Sequence, residues 1–309
     1  MQLLSSGTWT TLWMTVLMLT VSSVSIAQNG DHPGEPQPDN WQQFDVPDSP
    51  PLSPEDELAS FRIAPGFRIE LVAAEPLVVD PVAIAWDEKG RLWAVEMRSF
   101  MPNVDGIGET EPIGTISVLE DSDGDGRYDK ASRFLEGLVN PRAIAIVDGG
   151  VLVAEPPHLW YCRDTDGDLA CDEKVDVLRY GDPNPDNLEH TENGLLLAID
   201  NWLYSAKSSR RIRFRLDDDT PSVTVERTLF RGQWGIAQDD QGRLFYNTNS
   251  NYLIGDPLPA NLLSRNPHSG RAVGQPAGAG VRIVQPSDEP RHPHRGHPGD
   301  RHLLASLLL

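Results

Sequence analysis

An all-β fold is predicted for this chain by three observations. A strand–turn–strand phrase recurs four times, short β-like runs fill the chain between its copies, and no convincing helical periodicity spans 12 residues or more. Each copy has an apolar run, a polar turn with Asp and Gly, and a second apolar run, which is the pattern of a β-hairpin. One hairpin cannot bury its own apolar faces. The repetition therefore predicts blades stacked around an axis, a β-propeller with a binding mouth at that axis.

The four copies of the phrase share a small residue that precedes a leucine by nine positions. Residues 81–93 are the clearest copy, residues 233–245 repeat it closely, and looser copies cover 141–153 and 193–204. The small residues recur at intervals of 60, 51 and 41 residues and are Ala83, Ala143, Gly194 and Gly235. These intervals have the size of one propeller blade or solenoid repeat.

The N-terminal region is predicted to be an export signal followed by a linker. Residues 1–27 contain an apolar run from Leu12 to Val21 and a small-x-small cleavage site that ends at Ala27, although no Lys or Arg precedes Arg62. An uncleaved anchor is the alternative, for which the run is short. Residues 28–54 are rich in Pro, Asp, Gln and Asn and are predicted to be disordered. We expect a periplasmic or extracellular protein, with membrane association left open.

The propeller is predicted to occupy residues 55–268. A short lead-in over 58–63 has helical character, and the alternating run 67–72 is predicted to be the first strand. Further β-like runs lie at 116–119, 151–153 and 211–215. Residues 269–309 turn to Gly, Pro, Arg and His, and we expect either a natural low-complexity tail or a reading-frame error. Because propellers commonly have about six to eight blades, four repeats indicate an incomplete propeller.

The charge balance indicates cations as ligands. The 309 residues include 46 acidic and 26 basic side chains, a formal net charge of −20. This argues against nucleic acid and anionic membranes as partners, because both need a basic face. Much of the acid lies in two Asp-dense loops. The remaining carboxylates are scattered, as expected for solubility.

The first Asp-dense loop has carboxylates at alternate positions, which can converge on one cation. Gly126 permits a sharp turn, and the oxygen donors suit Ca²⁺. The twelfth position of the loop is Ser132 and not the Glu of an EF-hand, so an EF-hand helix pair is not predicted. The predicted ligands are Asp121, Asp123, Asp125 and Asp129.

The second loop keeps the alternating carboxylates but has Leu169 where Gly is expected. Its predicted ligands for Ca²⁺ are Asp164, Asp166, Asp168 and Asp172. Cys162 and Cys171 flank this loop, and in an exported protein without a completing His or Cys cluster a disulfide is favoured over zinc. Both loops are expected to be structural, because they are predicted to lie between repeats and away from the axis.

Two polar residues precede the third and fourth hairpins. His190 lies just before Asn193, where a neutral imidazole pointing into the channel could act as a general base. Arg231 lies four residues before Gly235, where it could hold an anionic cofactor or stabilise developing charge.

The segment from His190 to Tyr204, with Asp200 between them, resembles the soluble glucose/sorbosone dehydrogenase propellers. Arg231 followed by Gln233 and Gly235 is similar to a second signature of that family. The resemblance implies that His190 takes the proton from a sugar hydroxyl while hydride passes to pyrroloquinoline quinone. It also implies that Arg231 and Gln233 contact this quinone. Thr191, Glu192 and Trp234 depart from the usual residues of that family.

A wider resemblance covers about residues 55–268. Ala64–Phe67, Ala94–Arg98, the first Asp loop and Glu189–Leu195 are similar to the membrane-bound dehydrogenases of planctomycetes and verrucomicrobia. That family implies a six-bladed propeller, often joined to a c-type haem domain, and a c-type cytochrome as electron acceptor. Cys-x-x-Cys-His does not occur in the sequence, so this motif attaches no covalent haem to the chain.

Three functions are therefore weighed. The leading one is quinone-dependent oxidation of a sugar or alcohol. A second is a calcium-dependent lactonase, for which Glu96, Asn140 and Asn193 could hold a channel metal. The third is a non-catalytic, calcium-stabilised module that binds polysaccharide or protein. Glu96 and Glu155 close equivalent strands and could line the channel, or could be solvated loop carboxylates.

Overall fold

The computed structural model describes residues 50–103, 106–181, 188–248, 251–256, 258, 261 and 281–282. It confirms the all-β prediction. Four antiparallel sheets of four strands each form a four-bladed β-propeller, and in every sheet the strands follow one another in chain order. This meander order is expected when each strand pairs with the next through a short turn.

The strands of the first two blades are as follows. Blade 1 consists of β1 (Pro81–Trp86), β2 (Leu92–Glu96), β3 (Gly114–Glu120) and β4 (Lys130–Leu138). Blade 2 consists of β5 (Ala143–Val147), β6 (Gly150–Glu155), β7 (His158–Arg163) and β8 (Glu173–Arg179).

The third and fourth blades continue the pattern. Blade 3 consists of β9 (Asn193–Leu197), β10 (Leu203–Ala206), β11 (Ser208–Asp217) and β12 (Thr220–Arg231). Blade 4 consists of β13 (Ala237–Gln238), β14 (Leu244–Thr248), β15 (Asn251–Gly255) and β16 (Val281–Arg282).

The four copies of the phrase form the inner hairpins, which confirms the repeat. β1 pairs with β2, β5 with β6, β9 with β10, and β13 with β14. The innermost strands pack side by side, β1 against β5 and β5 against β9. The repeated small residues suit this arrangement because neighbouring inner strands approach each other closely.

An aspartate organises the turn of the first hairpin. Asp87 accepts hydrogen bonds from the backbone N–H of Lys89 and Arg91, both at 3.0 Å, and from the Trp93 indole at 3.0 Å. Gly90 supplies the positive φ, +79°, that the turn requires. Asp239 makes the same backbone contacts in the fourth hairpin, so the phrase repeats its hydrogen bonds as well as its sequence.

The apolar core lies between the blades. The faces of blades 1 and 2 that meet bury Val95, Ile116, Val153 and Cys162 together. A second cluster joins blades 2 and 3 in the same way. Alternate residues of one strand enter different clusters, because successive side chains point to opposite faces of a sheet.

The segment before blade 1 differs from its prediction. A helix, α1, spans Pro54–Ser60 and is capped by the Ser53 side chain, which accepts the Asp56 N–H at 3.1 Å. It therefore begins before the predicted lead-in 58–63. The run 67–72 is not a strand, so that prediction is wrong. Instead, the Val72 carbonyl accepts the N–H of Tyr128 at 2.8 Å, and the segment docks on the β3–β4 loop instead of joining a sheet.

One predicted boundary lies within blade 4, and several other predicted segments lie outside the described residues. β16 lies within the predicted tail 269–309 and pairs with β15, so a boundary at residue 268 falls inside blade 4. The predicted signal 1–27, most of the linker 28–54, and the His-rich part of the tail lie outside the described residues. Within the described part of the chain, no helix has the length and apolar character needed to cross a membrane.

The sheets have two distinct edges. We call the edge at which β1, β5, β9 and β13 begin the upper edge, and the opposite edge the lower edge. In a four-stranded meander, the turns between strands one and two and between strands three and four share the lower edge. The links between blades share the upper edge. Both Asp loops, which connect β3 to β4 and β7 to β8, therefore lie at the lower edge.

We predict that Asp87→Ala lowers the free energy of unfolding by about 2 kcal/mol, because it leaves several turn donors without their acceptor. Burial raises the pKa of Asp87, but hydrogen bonds from Trp93 and Arg91 outweigh it and lower the pKa below its usual value. The stabilisation is therefore complete above the unfolded pKa and is lost as the pH falls through the folded value. Urea unfolding followed by circular dichroism at pH 7 and below pH 4 measures both effects.

Glu88→Ala is the matched control, since it removes one exposed carboxylate from the same turn. An equal loss of stability in both variants would contradict the assigned role of Asp87.

Candidate functional site

The first Asp loop holds its carboxylates in a compact turn. Asp121 accepts the N–H groups of Gly124 at 2.7 Å and Gly126 at 2.9 Å, one on each oxygen. Asp129 closes the loop by accepting the N–H of Ser122 at 3.2 Å and its hydroxyl at 2.6 Å. The backbone bond from Gly126 also holds the pKa of Asp121 below its usual value. The carboxylate is therefore kept ionised, as a cation ligand must be.

The second loop repeats this network 43 residues later. Asp164 accepts the N–H groups of Gly167 at 2.6 Å and Leu169 at 2.9 Å. Asp172 accepts both the N–H and the hydroxyl of Thr165 at 2.7 Å, and the N–H of Thr165 lowers the pKa of Asp172. The Ser and Thr hydroxyls were not predicted as part of the site. Their equivalent positions in the two loops are the signal that could have revealed them.

Three carboxylates converge in each loop. In the described residues, one candidate cation cluster is Asp121, Asp123 and Asp125, and the other is Asp164, Asp166 and Asp172, with ligand oxygens within 4.8 Å of one another. Asp129 and Asp168, both predicted as ligands, lie in the loops outside these two clusters. Asp129 is hydrogen-bonded to Ser122, and Asp168 accepts the N–H of Ala170 at 2.8 Å.

Leu169 takes the conformation that Gly126 takes in the first loop. Its φ is +67° and that of Gly126 is +91°. A left-handed conformation disfavours a residue with a Cβ. The Leu169 side chain is buried in the core between blades 1 and 2, and this burial offsets the cost.

Each loop is anchored outside its own hairpin. The Arg127 side chain donates to the Leu71 carbonyl at 3.0 Å, which ties the first loop to the segment before blade 1. The Cys171 N–H donates to the Phe134 carbonyl of β4 at 2.8 Å, which ties the second loop to blade 1. Each loop joins the two outer strands of its blade, so it lies between successive inner hairpins and away from the upper edge.

Cys162 and Cys171 are free thiols in the structure, so the predicted disulfide is not formed here and stays a prediction. Both side chains belong to one apolar cluster, and the interaction between the two thiols raises the pKa of Cys162 and lowers that of Cys171. Cys162 is completely buried and Cys171 is partly exposed.

His190 lies at the upper edge, as its sequence position predicts. It ends a 3-10 helix, Leu188–His190, three positions before the first residue of β9, and is partly buried. Glu192 follows and is paired with Arg210, whose guanidinium lies 4.8 Å from the centre of the Tyr180 ring. Asn193 donates to the Gln233 carbonyl at 3.1 Å and accepts the Gly235 N–H at 2.9 Å, which links blade 3 to blade 4.

Arg231 is deeply buried and internally bonded. Only 2% of it is exposed, and Asp256 accepts from Nε at 2.9 Å and from Nη2 at 2.7 Å. Thr228 Oγ1 and the Leu229 carbonyl both accept from Nη1 at 3.0 Å. Gln233 offers its carbonyl to Asn193. The arrangement does not present the guanidinium to a ligand, so it does not fit the predicted contact with a quinone.

Glu96 and Glu155 have equivalent structural roles. Each accepts a backbone N–H from the segment that leads into its own blade, Glu96 from Val79 at 3.1 Å and Glu155 from Val139 at 2.7 Å. The residues after these valines, Asp80 and Asn140, both have φ near +48°, so the two lead-ins share one bend. These contacts account for both carboxylates without a channel ligand.

The residues predicted to hold a channel metal in a lactonase make further internal hydrogen bonds and ion pairs. Glu96 is fully buried and ion-paired with Arg98 and with Arg133, the latter at 2.7 Å. Asn140 donates to the Glu109 carbonyl at 2.8 Å and accepts from the Ser99 hydroxyl at 3.2 Å.

Trp234 occupies the centre of the upper edge. Its indole donates to the Val82 carbonyl of β1 at 3.4 Å, and the buried Arg142 of blade 2 lies 5.8 Å from its ring centre. One side chain from the approach to blade 4 thus contacts the inner strand of blade 1 and lies beside blade 2. The sequence marked Trp234 only as a departure from the dehydrogenase pattern, and its packing role was missed.

A family model for a domain of unknown function, DUF7133, matches residues 53–292. The chain belongs to the DUF7133 family. The match begins at the cap of α1 and includes all four blades. No curated protein sequence matches this DUF7133 chain.

Solved structures with some likeness include a gluconolactonase from Xanthomonas campestris, with 15% identity and a TM-score of 0.37 over 58% of this chain and 57% of that one. A luciferin-regenerating enzyme has 12% identity and a TM-score of 0.35 over 62% of this chain and 56% of that one. A streptogramin B lyase has 15% identity and a TM-score of 0.34 over 62% of this chain and 59% of that one. The DUF7133 chain thus spans less than two thirds of each of these structures.

We predict that Asp256→Asn destabilises the protein by about 3 kcal/mol, because it leaves the buried Arg231 guanidinium without a compensating charge. Chemical denaturation followed by circular dichroism measures the change.

Asp219→Asn is the control. It neutralises the acceptor of Arg163 in a pair whose carboxylate side chain is 81% exposed, so we expect no measurable change. Equal effects of the two substitutions would contradict the structural role assigned to the Arg231–Asp256 pair.

Proposed function

We propose that this protein is a calcium-stabilised β-propeller in which each Asp loop binds one Ca²⁺. On this proposal the chain is a non-catalytic module that binds a polysaccharide or a protein partner. The single observation that carries the calcium assignment is the repetition of one hydrogen-bond network in two loops, each converging three carboxylates within 4.8 Å. One hydrogen-bond network kept in two loops with different flanking residues indicates a shared requirement of the loop itself.

The donor set fits Ca²⁺. Clustered carboxylate oxygens are the ligands that this hard cation prefers, and flexible loops suit its variable coordination. Asp121, Asp123 and Asp125 would hold the ion in the first loop, and Asp164, Asp166 and Asp172 in the second. When bound, the ion neutralises carboxylates that otherwise repel one another.

Because of where the loops lie, Ca²⁺ bound in them would stabilise the folded protein. The second loop is fixed to blade 1 by the Cys171–Phe134 backbone bond and by the buried Leu169. An ion that binds the folded loop and not the unfolded chain stabilises the fold by mass action. The first loop couples in the same way to the segment before blade 1 through Arg127.

The upper edge supports a binding role over a catalytic one. The groups assigned to a quinone clamp or a channel metal are Arg231, Glu96, Asn140 and Asn193, and each is engaged in internal hydrogen bonds. To act on a ligand, each would have to release a partner, and for a buried charge that release is costly.

We predict that the wild-type chain binds two Ca²⁺ and that its melting temperature rises with Ca²⁺ concentration. Asp123→Asn and Asp166→Asn occupy the same position in the two loops, and each should lose one site or weaken it at least about tenfold, because Ca²⁺ affinity depends on ligand charge. The double variant should show no shift in melting temperature. Isothermal titration calorimetry and thermal unfolding measure these effects.

Asp240→Asn provides the control for net charge, since Asp240 is an exposed acid in the turn of blade 4. A wild-type chain that binds no Ca²⁺ at millimolar concentration would refute the calcium proposal.

A second candidate is the oxidation of a sugar or alcohol, with His190 as the base and a c-type cytochrome as electron acceptor. The favouring observation is that His190 lies at the upper edge, three positions before the first residue of an inner strand. This candidate draws on the resemblance to the membrane-bound and glucose/sorbosone dehydrogenases, and on export of the chain to the periplasm. Pyrroloquinoline quinone would need a contact other than Arg231.

If this second candidate is right, His190→Gln should lower the rate of dye reduction at least about a hundredfold, the size of a general-base effect. The assay uses a panel of aldoses and alcohols, with and without pyrroloquinoline quinone and Ca²⁺. His158→Gln is the control, since it removes another partly exposed histidine. Dye reduction that is absent in the wild type or unaffected by His190→Gln would exclude this candidate, and hydrolysis of lactones in parallel would reveal the lactonase alternative.

A further inference from the structure

The second Asp loop carries a pair of thiols at its two ends. Cys162 lies in β7, two residues before Asp164, and Cys171 directly precedes Asp172. Both side chains belong to the apolar cluster between blades 1 and 2, and the Cys171 thiol donates to the Glu173 carbonyl at 3.2 Å. The Asp172 N–H donates to the Arg163 carbonyl at 2.8 Å, so the loop closes beside the two thiols.

The first loop is an internal comparison for this feature. The residues 43 positions before the cysteines are Leu119 and Tyr128, so the same carboxylate network exists in blade 1 without thiols. The first loop also has Gly126 where the second has Leu169, which is held at positive φ. The second loop thus has a more costly backbone conformation and a possible covalent closure, and the first has neither.

The thiol pair is placed to restrain the carboxylate cluster. Asp164 and Asp172 come from opposite ends of the loop and belong to the same cluster. A bond between Cys162 and Cys171 would fix these ends relative to each other. Because the Cys171 N–H is bonded to Phe134, the same bond would also hold the loop against blade 1.

We propose that Cys162 and Cys171 form a redox clasp, in which a disulfide between them raises the Ca²⁺ affinity of the second loop and leaves the first loop unchanged. The inference rests on the calcium function proposed above. A cross-link limits the conformations of the ion-free loop, so less conformational freedom is lost when the ion binds. It also restrains the loop in which Leu169 holds its disfavoured conformation.

The oxidation is a thiol–disulfide exchange with a small-molecule disulfide as the oxidant. The sulfur of Cys171, which is the more exposed, attacks one sulfur of the oxidant; one S–S bond forms, the oxidant's S–S bond breaks, and one small thiol leaves. The sulfur of Cys162 then attacks that of Cys171 and releases the second small thiol. Two protons and two electrons pass from the cysteine pair to the oxidant, which ends as two thiols.

The test compares both redox states of the full-length chain carrying Asp123→Asn, so that the second loop is the stronger Ca²⁺ site. One portion is oxidised with oxidised glutathione and the other is reduced with dithiothreitol, and both are freed of reagent. Thiol counting and intact mass confirm an intramolecular disulfide. Calorimetric titration with Ca²⁺ should then give a dissociation constant about tenfold lower in the oxidised form, equivalent to about 1.4 kcal/mol.

Two controls separate the clasp from general effects of oxidation. In the Asp166→Asn background the first loop is the stronger site, and its Ca²⁺ affinity should be the same in both redox states. Cys171→Ser keeps a donor toward the Glu173 carbonyl but cannot form the disulfide, so its affinity should not respond to oxidation. If Cys171→Ser does not fold, the comparison of the oxidised and reduced Asp123→Asn chain remains decisive, because both forms keep the two cysteines and come from one folded protein.

Each outcome has a definite meaning. Tighter binding by the oxidised second loop alone supports the clasp. Equal affinity in the two states, or disulfides that join separate chains, overturns the clasp and leaves the calcium function standing. Absence of Ca²⁺ binding by the second loop in both states overturns the calcium function of that loop together with the clasp.

Discussion

The burial of both faces of blades 1, 2 and 3 is the constraint on which this structure depends. In β2, Trp93 and Val95 enter the core shared with blade 2, whereas Leu92 and Ala94 face the segment that precedes blade 1. A strand that is buried on both faces has no free surface for polar groups except at its ends. The chemistry of this protein is therefore confined to the two edges of its sheets, where turns and links between blades lie.

The polar residues at the two edges differ in whether they are bonded within the protein. At the upper edge, polar side chains bind the links of the chain: Glu96 and Glu155 accept backbone N–H groups of the segments that lead into their own blades, and Asn193 joins blade 3 to blade 4. At the lower edge, Asp loops gather exposed negative charge that the fold does not neutralise itself. Polar groups at the upper edge are engaged in internal hydrogen bonds, whereas the carboxylates of the Asp loops at the lower edge keep uncompensated charge. The Asp loops are therefore the better candidates for binding a ligand, which is a cation.

Local chemistry was predictable and long-range pairing was not. The inner hairpins followed from the recurring phrase because a turn with Asp and Gly specifies its own backbone bonds within a few residues. The pairing of Arg231 with Asp256 joins positions 25 apart in different blades, and no local pattern predicts it. The run 67–72 alternates like a strand, yet it has no partner edge, since the loop around Tyr128 takes up its carbonyl instead.

The sequence by itself determined the all-β class, the four hairpins and the two clusters of alternating carboxylates, because each depends on residues close together in the chain. Only the tertiary structure decided which polar residues are available. It buried Arg231 against Asp256, paired Glu96 with Arg98 and Arg133, and placed Cys162 and Cys171 in one apolar cluster between blades 1 and 2. The reason is physical: a side chain's chemistry is set by its residue type, but its freedom to act depends on partners that folding brings from distant parts of the chain.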